Sequence, residues 1–125
     1  MAFFERIMLI DDDEITNYIN ENILNDLDLG KEVISYIAAE EALNVIKEET
    51  EHPLTLILLD LKMPVFDGFD FLKEYNQLEF STKKNLKLVI LTTSENPHDL
   101  KKLEQLGNYD VLVKPLSEEN LNALL

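Results

Sequence analysis

Four places in this chain put polar, chemically capable side chains where an apolar run stops. Asp11-Asp12-Asp13 follow Arg6 to Ile10, and Asp60 follows Leu54 to Leu59. Thr92-Thr93-Ser94 follow Leu86 to Leu91, and Lys114-Pro115 follow Asp110 to Val113. Carboxylates gathered from separate segments repel and raise one another's pKa. A hard divalent cation removes that penalty. Mg²⁺ prefers oxygen ligands and is commonly held by one or two carboxylates plus phosphate and water. The same ion attracts a phosphoryl group and neutralises its charge during transfer. A carboxylate can then serve as nucleophile and become an aspartyl phosphate. A threonine hydroxyl and a lysine ammonium can stabilise the equatorial oxygens. Singly, each group has a plainer reading. An Asp after a strand is often a helix N-cap, Asp13 most of all. A Thr there is a loop hydrogen-bonder, and a Lys there is solvated.

Bringing these residues together is a task for the elements between them. Short apolar runs predict strands over residues 6–10, 33–38, 54–59, 86–91 and 110–113. Helical spacing places Ile15, Tyr18, Ile19, Ile23 and Leu27 on the inner face of a first helix. Further helices are predicted over 39–51, 69–78, 97–106 and 117–125. Pro97 and Gly107 punctuate the fourth. The stretch from Glu79 to Lys87 reads as a polar loop. Leu100, Leu103, Leu106, Leu121 and Leu124 read as core, with a pairing surface as the alternative. Five strands alternating with five helices specify a three-layer, doubly wound α/β fold with a parallel sheet covered on both faces. In such folds ligands gather beyond the carboxyl ends of the strands, where strand order reverses. The second predicted strand ends in Ala38-Ala39, with nothing distinctive.

With 125 residues the chain is expected to be one domain, residues 1–125. It has no cysteine, which excludes disulfides and Cys-ligated zinc. Eleven basic residues face 25 acidic ones, a formal charge of −14 that opposes direct nucleic-acid binding. No apolar run approaches the roughly 20 residues of a membrane span. The N-terminus lacks the pattern of a signal peptide. The expectation is a cytoplasmic protein with no membrane insertion.

Taken together, the motifs resemble the receiver domain of two-component response regulators. They are Leu9-Ile10-Asp11-Asp12-Asp13, Leu58-Leu59-Asp60-Leu61-Lys62-Met63-Pro64-Val65-Phe66-Asp67-Gly68, Val89-Ile90-Leu91-Thr92 and Val113-Lys114-Pro115. The resemblance covers essentially the whole chain. It implies a flavodoxin-like sheet of order 2-1-3-4-5, with Asp60 as phosphoacceptor. Mg²⁺ would be held by Asp11, Asp12, Asp60 and the backbone carbonyl of Lys62. Thr92, the Thr93 backbone and Lys114 would bind the phosphoryl group. Pro64, Gly68 and Pro115 would be structural, with a cis bond before Pro115. Lys62 and Ser94 would tune the lifetime of the phosphorylated state. The donor would be a sensor histidine kinase or a histidine phosphotransfer protein, and an unknown downstream protein would read the switch. Neither His52 nor His98 suggests a built-in donor.

Two features depart from the family pattern. The family carries an aromatic residue three positions before the lysine, and this chain has Val111. Val111 either fills the core or marks an absent or rewired coupling to Thr92, with Tyr109 two residues away on the same strand face. The last helix is shorter than receivers usually have, which fits a stand-alone receiver with a trimmed end or, as the alternative, a chain cut before an output domain. Two other functions compete. One is a docking module that is never phosphorylated. The other is a haloacid-dehalogenase-like phosphohydrolase, in which Asp11 is nucleophile and Asp13 acid. That family needs an acidic pair after the lysine, where only Glu118-Glu119 stand, and leaves Asp60 unexplained. Apart from acting on its own phosphoryl group, the chain is expected not to be an enzyme.

Overall fold

A strand covered on both faces needs no alternation of polar and apolar residues, so runs such as Thr55 to Leu59 can be buried throughout. Five such segments are strands in the computed structural model, which describes residues 3–93 and 96–124. They are β1 (Phe4–Ile10), β2 (Gly30–Tyr36), β3 (Thr55–Leu59), β4 (Leu86–Thr92) and β5 (Asp110–Val113). All pair in parallel, in the order β2-β1-β3-β4-β5. This is the flavodoxin-like order that the resemblance implied. β3 is buried along its whole length, whereas β5 at the edge buries only Leu112.

The helices are α1 (Glu14–Asp26), α2 (Ala39–Glu48), α3 (Gly68–Tyr75), α4 (Phe80–Lys83), α5 (Pro97–Leu106) and α6 (Glu118–Leu124). Side chains alternate across the sheet and build one core on each face. Met8, Ile10, Ile57, Leu59, Leu88 and Ile90 pack with residues of α2, α3 and α5. Ile7, Leu9, Leu56, Leu58, Val89 and Leu91 pack with Leu24 of α1 and Leu121 of α6. Burying each such side chain contributes about 1.5–3 kcal/mol. Among the described residues no helix is long and apolar enough to cross a membrane.

Three expectations need correction. The segment from Glu79 to Lys87 is not all loop, because α4 occupies its first half and makes six helices rather than five. The inner face of α1 is the apolar stripe only in its second half, where Ile23 and Leu27 pack against the core. Ile15, Tyr18 and Ile19 are exposed, and the buried residues are Asn17, Asn20 and Leu24. The rotation follows from the helix start, where Asn17 turns inward to bond the Asp11 carbonyl at 2.8 Å. Val111 does not fill the core. It is 37% exposed and, with Tyr109, lines a recess of about 240 Å³ beside α5. Of the leucines on the last two helices, Leu103 and Leu121 are buried, as core residues should be.

At the amino-terminal end of the sheet, buried Arg6 donates to both carboxylate oxygens of Glu49, at 2.7 and 3.0 Å, and to Thr55. This fork is the stronger kind of ion pair and ties β1 to the end of α2. On the face of α3, Tyr75 stacks on Phe71 with ring centroids 5.9 Å apart. Burial pushes the Tyr75 phenol up to about 12, with Tyr109 adding to the shift. A phenol in the unfolded chain ionises near pH 10, so the stabilising effect of neutral Tyr75 is complete below that pH. It drains away as the pH rises toward the folded value. Tyr75→Phe should therefore lose stability less steeply than the parent between about pH 10 and 12 in urea titrations. Equal slopes would show that Tyr75 does not control the alkaline limb.

Candidate functional site

Register decides which side chains meet. Ile10 pairs with Leu59 across β1 and β3, so the next residues, Asp11 and Asp60, leave the sheet side by side. The Asp60 backbone N–H donates to the Ile10 carbonyl at 3.0 Å, and that of Asp11 to Tyr36 at 3.0 Å. One carboxylate oxygen from each of Asp11, Asp12 and Asp60 lies within 4.8 Å of the others. Asp11 and Asp60 are buried and Asp12 is exposed. On the other side, buried Thr92 ends β4 opposite Val113 of β5. The Lys114 N–H then bonds the Thr92 carbonyl at 2.9 Å. This carries the Lys114 ammonium to 2.5 Å from Asp11 Oδ2 and 3.6 Å from Asp60 Oδ2. The Lys114–Pro115 peptide is cis, as the resemblance implied.

The cluster is electrostatically tense. Burial raises the Asp60 carboxyl above its ordinary range, and the charges of Asp11 and Asp12 add to the shift. Lys114 and a hydrogen bond from the Lys62 backbone oppose it. Burial alone would lower the Lys114 ammonium, but its hydrogen bond to Asp11 and the charge of Asp60 outweigh that and raise it. Three carboxylates face one ammonium, so the excess is negative and the donor set is all oxygen. That chemistry fits a hard divalent cation such as Mg²⁺.

The adjoining loops are held by local devices. Asp13 stays out of the cluster and caps α1, accepting from the Ile15 and Thr16 N–H groups at 2.9 and 3.4 Å. These bonds, chiefly that from Thr16, hold its carboxyl below the usual range. Asp67 and Asp70 form a reciprocal capping box at the start of α3. Gly68 is needed there because a Cβ would lie 2.5 Å from the Asp60 carbonyl and 2.7 Å from the Leu61 Cα. Pro64 is exposed, and its carbonyl accepts from the Phe66 N–H at 2.8 Å. Val65 lies between them, fully exposed, with φ +67°. That is the tight three-residue turn whose central residue is strained, all the more for a β-branched side chain.

Thr93 is exposed and shares a recess of about 320 Å³ with Lys114, Pro115 and Ile19. Ser94 lies outside the described residues. Two participants were not legible in the sequence. Asn17 buttresses the Asp11 backbone, and Asp99 of α5 pairs with the Lys62 side chain at 2.9 Å. No motif marks either residue, and the apolar spacing at the start of α1 pointed to a different face. A larger recess of about 450 Å³, between Glu49 and Asn85, lies at the opposite end of the sheet. Cavity size therefore does not locate this chemistry.

The family model for the response regulator receiver domain matches residues 7–125. The chain belongs to that family. The receiver is 34% identical over 119 residues to a probable transcriptional regulator ycf27 of Porphyridium aerugineum, covering 95% of this chain and 45% of that protein. It is 28% identical over 117 residues to the sensor protein GacS of Pseudomonas syringae, covering 93% of this chain and 12% of GacS. The chain thus spans about half the length, or less, of the curated relatives it matches. Among solved structures it resembles a response regulator receiver protein from Dyadobacter fermentans, with a TM-score of 0.85 and 25% identity. That likeness covers 96% of this chain and 94% of the other.

Two outcomes follow from this receiver's site. Asp60→Asn removes a carboxylate from a crowded, buried cluster and should raise the melting temperature of the metal-free protein. Added Mg²⁺ should stabilise the parent and leave the variant little changed. A variant that melts lower than the parent without metal would contradict the account of charge crowding. Separately, Val65→Gly should stabilise the receiver by about 1 kcal/mol, since relief of backbone strain exceeds the entropic cost of glycine. A lower urea midpoint would mean that the turn is not strained.

Proposed function

We propose that residues 1–125 form one receiver domain that accepts a phosphoryl group on Asp60 within a two-component phosphorelay. The observation that carries this reading is the placement of the buried Asp60 carboxylate. It lies within 4.8 Å of the Asp11 and Asp12 oxygens and 3.6 Å from the Lys114 ammonium. In this reading a carboxylate oxygen of Asp60 attacks phosphorus. The phosphorus–nitrogen bond to a histidine of the donor breaks as the new oxygen–phosphorus bond forms. Asp11, Asp12, Asp60 and the Lys62 carbonyl would hold Mg²⁺, with Asp12 the more direct ligand of the first pair. The ion would supply charge neutralisation to the transferring group. Lys114 pairs with one phosphoryl oxygen, and the Thr92 hydroxyl and Thr93 backbone serve the others. Asp13 is engaged as a helix cap, which supports Asp60 over Asp11 as the nucleophile and disfavours the phosphohydrolase.

The donor histidine belongs to another protein. His52 bonds the Ile46 carbonyl at 2.8 Å at the far end of the sheet. A sensor histidine kinase or phosphotransfer protein fits this role, and the similarity to a segment of GacS supports the choice. The exposed Ile15, Tyr18 and Ile19 of α1 stand beside the site and give such a partner an apolar surface. Phosphorylation would then shift the population that a downstream protein binds. The setting is the cytoplasm. The chain catalyses gain and loss of its own phosphoryl group and is otherwise not an enzyme. Intact-mass analysis after incubation with acetyl phosphate and Mg²⁺ should show one phosphoryl adduct on the parent and none on Asp60→Ala. An unmodified parent, or equal labelling of the variant, would remove this reading and leave a docking module.

A further inference from the structure

Lys62 stands two residues after Asp60, and its backbone N–H already faces the Asp60 carboxylate. The flexible four-carbon stem of a lysine can fold back from there and set its ammonium among the acidic oxygens. Electrostatics favours that position, since Asp11, Asp12 and Asp60 face one ammonium, that of Lys114. Yet the Lys62 ammonium lies elsewhere. Among the described residues it pairs with Asp99 Oδ2 at 2.9 Å and with no member of the cluster. The Asp99 side chain is 7% exposed and sits in the first turn of α5, where the helix dipole favours an anion. The Lys62 side chain is 60% exposed. An ion pair with one wet partner opens readily, because solvent screens it. Asp99 is thus a fixed anchor and Lys62 a movable charge, with a more negative destination close by.

We propose that Asp99 is a positioning residue that holds the Lys62 ammonium out of the acidic cluster and so keeps the cluster open to Mg²⁺. Without Asp99 the ammonium would settle on the carboxylates and neutralise part of the charge that suits them to the ion. Mg²⁺ would then have to displace it. The apparent affinity for the ion would fall in proportion to the fraction of molecules whose cluster stays open. This rests on the reading of the cluster as a Mg²⁺ site, not on phosphoryl transfer, and it gives Asp99 no contact with the ion. The pair also joins the loop after Asp60 to α5. Were that tie what matters to the ion, it would act by steadying the Lys62 carbonyl. The two roles differ in sign when the ammonium is removed and Asp99 is kept. Loss of a competing cation tightens Mg²⁺ binding, and loss of a tie weakens it.

The experiment is Mg²⁺ titration of the full chain by isothermal calorimetry, with backbone amide shifts of the ¹⁵N-labelled protein as a second readout. Asp99→Asn keeps the shape of the side chain and should weaken Mg²⁺ binding about fivefold. Lys62→Gln retains an N–H donor without the charge and should bind the ion about twofold more tightly than the parent. Introduced into the Lys62→Gln chain, Asp99→Asn should change the affinity by less than about twofold, the remainder reflecting the lost charge of Asp99 itself. That rescue is the readout a structural role for Asp99 would not give. If Asp99→Asn fails to fold, the sign of the Lys62→Gln effect still decides. A Lys62→Gln chain that binds Mg²⁺ no more tightly than the parent would overturn the proposal. So would a loss on Asp99→Asn of equal size in both backgrounds. If the parent binds Mg²⁺ and Asp99→Asn binds it equally well, the positioning role alone fails. If the parent binds no Mg²⁺, the metal reading of the cluster fails and this role with it. Acetyl phosphate labelling of the parent tests the phosphoacceptor separately.

Discussion

Two carboxylates forced side by side at the ends of adjacent parallel strands are the constraint around which this receiver is built. The pairing of Ile10 with Leu59 leaves Asp11 and Asp60 no separate paths out of the sheet. Their repulsion is only partly relieved by Lys114, which reaches in from beyond β5. A buried cluster with excess negative charge is an unfavourable thing to fold. It persists because the two apolar layers that cover β1, β3 and β4 supply far more stabilisation than the cluster removes. The same excess charge suits the site to a hard cation.

The residues around the cluster hold backbone rather than perform chemistry. Asp13 and the Asp67–Asp70 box satisfy the open N–H groups of α1 and α3. Gly68 lets α3 start in contact with the backbone of Asp60 and Leu61. Asn17 fastens the Asp11 carbonyl, and the Lys62–Asp99 pair ties the loop after Asp60 to α5. These ties leave the Asp60 side chain defined in position while Asp12 faces solvent. They also leave the apolar residues at the start of α1 facing outward.

On the α5 side the chain departs from the usual receiver in a definite way. Tyr109 sits over Gly107, and its hydroxyl bonds the side chain of Asn76, whose amide in turn donates to the Leu106 carbonyl at 2.6 Å. The ring therefore clasps α3 to the end of α5. Val111, where the family carries an aromatic, lines the recess next to it.

Much of this was legible in the chain itself. The apolar runs marked all five strands, most plainly β1, β3 and β4, because a strand buried on both faces leaves an unbroken signal. The acids, threonine and lysine at their ends stood out because polar residues stop such runs. Pro97, Gly107 and the Asp67-Gly68 pair punctuated helices through local backbone chemistry. What the tertiary structure alone decided was orientation and partnership. The apolar spacing of α1 held for Ile23 and Leu27 but pointed Ile15, Tyr18 and Ile19 inward, since helix periodicity is blind to the Asn17–Asp11 bond at the helix start. Val111 looked like core because an edge strand and a central strand read alike. The meeting of Asp11, Asp60 and Lys114, from segments up to 103 residues apart, depends on strand order and register, which no local pattern encodes.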